Sequence, residues 1–153
     1  MELLEEQPTL DVIAVPVGGG GLLAGTALAV HYFGQGCKTV AGEPMAADDA
    51  YKSLMAGKIL KNDTADTIAD GLRTHLGDIN FPIIQKHVDE IIRVEEQEII
   101  AAMRLVWERM KIIIEASCAV PLAAILFEKE KFQNQKIGIV ITGGNVDLGK
   151  LPF

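Results

Sequence analysis

Apolar positions along this chain follow two rhythms. Four short β-branched runs read as strands: Asp11 to Val17 (DVIAVPV), Thr39-Val40-Ala41, Val88 to Val94 (VDEIIRV) and Lys136 to Thr142 (KIGIVIT), the last expected to be buried. Between them lie stretches with helical spacing. Leu22 to Phe33 follows a run of glycines, Ala46 to Ala56 stops at Gly57, and Ala119 to Lys129 precedes the last strand. The strongest helix starts behind Glu95, Glu96 and Glu98 and runs to about Lys111. Its Ile99, Ile100, Met103, Val106, Trp107 and Met110 share one face, with the acids at the positive end of the helix dipole. Residues 57 to 80 are polar and read as loop, and Ile112 to Glu115 as a short apolar connection. Strands alternating with helices predict an α/β fold, a mostly parallel sheet with helices on both faces. In such sheets ligands sit beyond the carboxyl ends of the strands.

Composition narrows the class. At 153 residues, 49% hydrophobic and 23% charged, the chain is the size of one domain, or one piece of one, with no repeat or linker composition to divide it. A net charge of −7 opposes both a nucleic-acid backbone and an anionic membrane surface. Cys37 and Cys118 lack zinc-ligand or disulfide-framework spacing, which fits a reducing compartment. The opening Met1 to Glu6 carries acids where a signal peptide needs bases, so a cytoplasmic location is expected.

The sharpest chemical feature is Val15-Pro16-Val17-Gly18-Gly19-Gly20-Gly21-Leu22-Leu23-Ala24-Gly25. One or two glycines suffice for a turn that only needs positive φ. A longer run between strand and helix lets successive N–H groups converge on one point, with the helix N-terminus behind them, and that point suits a phosphate. Gly19, Gly21 and Ala24 also satisfy a loose dinucleotide fingerprint, with Glu43 as its ribose-binding acid, so a nicotinamide-dependent oxidoreductase is one alternative. A second glycine turn, Thr142-Gly143-Gly144-Asn145, closes the last strand. A hydroxyl at a strand tip, followed by glycines and a carboxamide, suits a heteroaromatic ring nitrogen.

Five segments in order, Val15 to Gly25, Glu43-Pro44 with Ala47-Asp48-Asp49, Thr67 to Leu72, Val106 to Lys111 and Ile139 to Leu148, resemble the serine racemase and serine/threonine dehydratase family. These are fold-type-II, tryptophan synthase β-like enzymes dependent on pyridoxal 5'-phosphate. The resemblance runs from about Glu2 to Leu148 and implies that the chain corresponds to the C-terminal half of such an enzyme, most of its large domain. The family's opening half, which carries the cofactor's lysine and the serine on the opposite face, has no counterpart here.

By resemblance, Gly18, Gly19, Gly20, Gly21 and the amide of Leu22 cradle the cofactor phosphate, and Thr142 meets the pyridine nitrogen. Gly71 approaches the cofactor through its backbone, and Glu115 lies close to the ring. Glu43, Asp49 and the Ala47 carbonyl match a divalent-cation site, an oxygen-only set suited to Mg²⁺, Ca²⁺ or Mn²⁺. Lys111, Asn145 and Asp147 match residues near a nucleotide effector site at a homodimer interface. The implied chemistry is removal of the Cα proton of a small amino acid, serine foremost. Reprotonation on the other face, or loss of the β-hydroxyl to give ammonia and a 2-oxo acid, follows. No catalytic residue is assigned within this chain, which is expected to be inactive alone; a non-catalytic regulatory partner of a full-length enzyme is a second alternative.

The chain departs from the family's Glu-Pro-Ser/Thr-x-Gly pattern at Glu115-Ala116-Ser117-Cys118-Ala119, with Pro121 expected in the first turn of the following helix. His31, His75 and His87 read as surface residues, Cys118 as a small buried hydrophobe, and Trp107 and Met110 as core.

Overall fold

The computed structural model describes residues 1–153. Its centre is a four-stranded sheet of β1 (Val12–Pro16), β2 (Lys38–Pro44), β3 (Glu90–Val94) and β4 (Ile137–Ile139) in the order β3-β2-β1-β4, every neighbouring pair parallel. The helices are α1 (Glu2–Glu6), α2 (Gly21–Phe33), α3 (Asp49–Ala56), α4 (Phe81–His87), α5 (Glu96–Met110) and α6 (Ala116–Phe127).

Alternation along the strands sends side chains to two cores. Val12, Ala14, Val40, Ile92 and Val94 pack with α5 and α6, while Ile13, Val15, Ala41 and Ile91 pack with α1, α2 and α4. Both faces are therefore covered, which is why β1 is buried along its whole length. The parallel register places the ends of β1 and β4 side by side, Ala14 opposite Ile139, so the two glycine turns leave the sheet at the same edge.

Several boundaries differ from those expected. The 46–56 helix is split into a 3₁₀ turn, Met45–Ala47, and α3, which ends on Gly57 in the left-handed region. α4 fills the gap between the polar stretch 57–80 and the third strand, where no element is expected because a seven-residue helix has too few turns to show a period. β4 is short and only half-buried, because it pairs with β1 alone. α6 starts three residues before the expected Ala119, which puts Pro121 inside the helix instead of in its first turn. There it is buried, facing Gly42 of β2: a Cβ on Gly42 would stand 2.7 Å from the Val120 carbonyl oxygen. Met110, at the frayed end of α5, is 56% exposed and not core. Trp107 is half-buried and donates its indole N–H to the Ile114 carbonyl at 3.0 Å. Glu95 and Glu98 form a reciprocal capping box at the start of α5.

Candidate functional site

Where β1 gives way to α2 the backbone turns sharply. Gly20 takes φ +84° as the N-cap of α2, and a side chain there would collide with Leu76 and Ile84. None of the N–H groups from Gly18 to Leu23 donates to an acceptor in the protein; the first bond of the helix is Ala24 N–H to the Gly20 carbonyl at 2.8 Å. A helix always leaves its first amides free, but here the free run extends back through the loop. The Gly19 carbonyl, by contrast, is fixed from behind by the Gly77 amide at 3.1 Å and the Asn80 side chain at 2.7 Å.

These amides border a recess of about 210 Å³. Gly18, Gly19, Gly20, Gly21, Leu22, Gly71, Glu115 and Thr142 all line it, so the fold brings the whole expected cofactor set together. Ser117 also lines it, its hydroxyl accepting from the Gly71 amide at 3.2 Å. Sequence reasoning noted Ser117 only as part of an altered motif and did not place it or Asn80 in the site. Asn80 carries no motif, and only the fold brings it to Gly19. At the far side, the Asn145 amide donates to Glu115 Oε2 at 3.0 Å, and the Glu115 amide to the Gly143 carbonyl at 3.2 Å. The turn after β4 is thereby tied to the start of α6.

The expected metal ligands lie at the end of β2, outside this recess. Both Glu43 oxygens accept backbone amides of α3, from Ala50 and from Tyr51 at 2.8 Å each. Asp49 accepts from the Leu76 amide at 2.8 Å and from Asn62 at 3.2 Å. Burial pushes the Glu43 carboxyl up to about 8 against the pull of its two amide bonds, with Asp49 and Asp48 adding to the rise. Asp49 is raised as well, chiefly by burial. Asp48 goes the other way: burial acts to raise it, but Lys52 at 2.6 Å and Arg93 at 3.0 Å prevail and lower it.

Two buried, mutually repelling carboxyls with hard oxygen donors match a divalent cation in chemistry. No third His, Cys, Asp or Glu joins them in a metal-holding group. With both its oxygens on the α3 amides and outside the recess, Glu43 is also not placed as the ribose acid of a dinucleotide site, and that alternative receives no support.

Asn145 and Asp147 border a separate recess of about 530 Å³ with Arg73 and Lys150; Lys111, the left-handed C-cap of α5, does not line it. The His31 and His87 rings meet at a 49° tilt with centroids 4.3 Å apart, between α2 and the end of α4. No helix is long and apolar enough to cross a membrane.

The α/β fold thus sets a glycine turn with free amides beside a second strand end carrying a hydroxyl, a geometry that suits a phosphorylated ring. The model of the pyridoxal-phosphate dependent enzyme family matches residues 1–143, and the chain belongs to that family. The relatives it resembles include serine racemases and ammonia-lyases. It is 51% identical to the serine racemase of Dictyostelium discoideum, covering 99% of this chain and 48% of that protein. It is 43% identical to the beta-hydroxyaspartate dehydratase of Paracoccus denitrificans (strain Pd 1222), with the same two shares, 99% and 48%. The structure of maize serine racemase superposes with a TM-score of 0.92 at 44% identity, over 97% of this chain and 46% of that one. The chain thus spans about half the length of the relatives it matches.

Proposed function

We propose that this chain provides the phosphate-binding and ring-nitrogen-binding part of a pyridoxal 5'-phosphate enzyme acting on a small amino acid, with serine as the leading substrate. The observation that carries the reading is the run of unpaired amides from Gly18 to Leu23 on a recess that also holds Thr142. Gly18, Gly19, Gly20, Gly21 and Leu22 would hold the phosphate through backbone N–H groups and the α2 dipole. When bound, the cofactor supplies an electron sink for charge developing at the amino acid's Cα. Thr142 offers the ring nitrogen a neutral hydroxyl, which holds a proton there less firmly than a carboxylate does. That moderates the sink and suits racemisation or loss of a β-hydroxyl over longer-lived carbanion chemistry. Gly71, fixed by Ser117, and Glu115 would bound the ring.

Glu43, Asp49 and the Ala47 carbonyl would hold a hard divalent cation such as Mg²⁺, Ca²⁺ or Mn²⁺, whose charge would favour ionisation of both raised carboxyls. Residues outside this chain, in the half of the relatives that it does not cover, would supply the covalent lysine and the opposing proton carrier. We place the chain as the C-terminal half of such an enzyme, and a homodimer with a nucleotide effector near Asn145 and Asp147 completes the proposal.

Calorimetric titration of the chain tests the core of this reading. Pyridoxal 5'-phosphate should bind, inorganic phosphate should compete, and unphosphorylated pyridoxal should bind at least about tenfold more weakly, the loss of several charge-assisted contacts. Equal affinity for pyridoxal with and without its phosphate would overturn it.

A further inference from the structure

The first turn of α6 faces the turn after β4, and the contact between them is made by a thiol. Cys118 is 2% exposed, yet its Sγ is surrounded by polar atoms. The amides of Thr142 and Gly143 donate to it at 3.1 and 2.9 Å, and it lies 3.0 Å from Thr142 Oγ1 and 2.9 Å from the Gly143 carbonyl oxygen. Packing alone asks only for a small apolar residue here, and alanine would serve.

We propose that Cys118 is a positioning residue that orients the Thr142 hydroxyl toward the ring nitrogen of the bound cofactor, an inference that rests on the pyridoxal phosphate reading of the recess. A thiol has one hydrogen. That hydrogen is donated to the Gly143 carbonyl oxygen at 2.9 Å, while the sulfur accepts the Thr142 and Gly143 amides, so three bonds pin the sulfur to the turn. The Thr142 hydroxyl then stands 3.0 Å from a fixed sulfur, at the wall of the recess where a ring nitrogen would meet it.

Thr142 itself is exposed, and apart from Cys118 its hydroxyl has no partner in the protein. Cys118 therefore sets where the hydroxyl stands. Glu115 clamps the other end of the turn through the Asn145 amide, so the first turn of α6 fixes Thr142 from both sides.

The test uses the whole chain and two measurements, with circular dichroism melts to verify folding of Cys118→Ala and Cys118→Ser. The first is amide hydrogen exchange at Thr142 and Gly143. Exchange should quicken about tenfold or more in Cys118→Ala, with the Ile13, Val15 and Ala41 amides of the central strands unchanged and Cys118→Ser partly protected. Unchanged exchange at 142 and 143 would overturn the role of the sulfur without any ligand.

The second is binding of pyridoxamine 5'-phosphate, which has no aldehyde to react with lysines, followed by its own fluorescence across pH. Cys118→Ala should weaken binding about three- to tenfold, the range for one lost hydrogen bond, and shift the pH at which the bound ring's emission changes. Cys118→Ser should restore most of both. The Cys118→Ala effect should vanish in a Thr142→Ala background. An equal effect in both backgrounds would reduce Cys118 to packing and sink this inference alone. A wild-type chain that binds neither pyridoxamine 5'-phosphate nor inorganic phosphate would instead sink the reading of the recess, and this inference with it.

Discussion

Gly20 and Ile84 leave no room for a side chain between them: a Cβ at residue 20 would stand 2.8 Å from Ile84 Cδ1, and 2.6 Å from Leu76 Cδ1. With φ at +84° the position is closed to other residues twice over, by backbone conformation and by space. Gly20→Ala should therefore cost about 2 kcal/mol of stability, from strain and overpacking together. It should also weaken phosphate binding at least tenfold. Gly21→Ala is the control: a Cβ there meets only Asn80 Nδ2 at 4.0 Å, so stability should change by no more than about 0.5 kcal/mol. Urea unfolding and phosphate titration of the two variants check both halves of the expectation.

Asn80 holds the same turn from outside, donating to the Gly19 carbonyl at 2.7 Å. Asn80→Ala should cost about 1 kcal/mol, an ordinary net hydrogen bond, because Gly77 still bonds that carbonyl. Its effect on pyridoxal 5'-phosphate affinity should exceed its effect on stability, since a looser Gly19 spoils the convergence of the amides. Equal losses of both would show that Asn80 merely supports the fold.

The parts of this site that were legible in the sequence are those where one residue type does one physical job. Glycines between a strand and a helix announce a backbone-lined turn, and Thr142 before Gly143 announces a strand exit with a hydroxyl. Register then brought the two together, as parallel strand alternation implies. Asn80 and Ser117 were not legible as site residues, because their roles depend on where a neighbouring segment lands and not on any local pattern. α4 was hidden because it holds seven residues, and the break at Asp48 because a 3₁₀ turn keeps nearly helical spacing. The start of α6 at Ala116 is not legible because Ala116-Ser117-Cys118 carries no helix-start signal, and only the fold shows Pro121 in the helix interior against Gly42.

Without divalent cation, the stability of this chain should fall as pH rises from about 4.5 to about 8. Over that interval the folded state keeps a proton on Glu43 that the unfolded chain has released, since burial lifts the carboxyl from 4.5 to about 8. Asp49, raised by burial, acts in the same direction; Asp48, lowered by Lys52 and Arg93 against its own burial, adds stability that disappears only in acid. Glu43→Gln should flatten the decline in melting temperature. Mg²⁺ or Ca²⁺ should reverse it in the wild type, with the gain growing toward pH 8, because the cation binds the ionised form. Melting curves with a chelator and with added cation, at pH 5 and 8, measure this; a cation effect that survives Glu43→Gln would place the ion elsewhere.

Beside β4 an apolar groove of about 400 Å³ is lined by Leu3, Leu4, Ile13, Leu22, Val30 and Val140. Ile112, Ile113 and Ile141 are also exposed, Ile141 two residues before Gly143 of the turn after β4 and Ile113 packed against Gly144 of that turn. If the chain is half of such an enzyme, as proposed, exposed apolar surface of this kind is where the remainder would pack. The isolated chain should bind a hydrophobic dye and self-associate with rising concentration in sedimentation runs. A monodisperse monomer that leaves the dye dark would contradict the half-enzyme reading.

The chain alone should neither racemise serine nor eliminate water from it. Covalent attachment needs an amine at the cofactor's aldehyde carbon, and no lysine lines the recess that the glycine turn and Thr142 define. An ordinary lysine amine, with a pKa of about 10.4, is protonated at neutral pH and a poor nucleophile, so adventitious attachment should be slow and scattered. Borohydride reduction after incubation with pyridoxal 5'-phosphate, with peptide mapping, should find partial labelling spread over several surface lysines. Assays for pyruvate and D-serine from L-serine should stay at background. Stoichiometric labelling of one lysine together with turnover would mean an active site rebuilt within these residues. Activity that returns only when the N-terminal half of a relative is added would instead assign the lysine to that half, and would show that the Gly18 to Gly21 turn and Thr142 bind the cofactor productively once the amine is supplied.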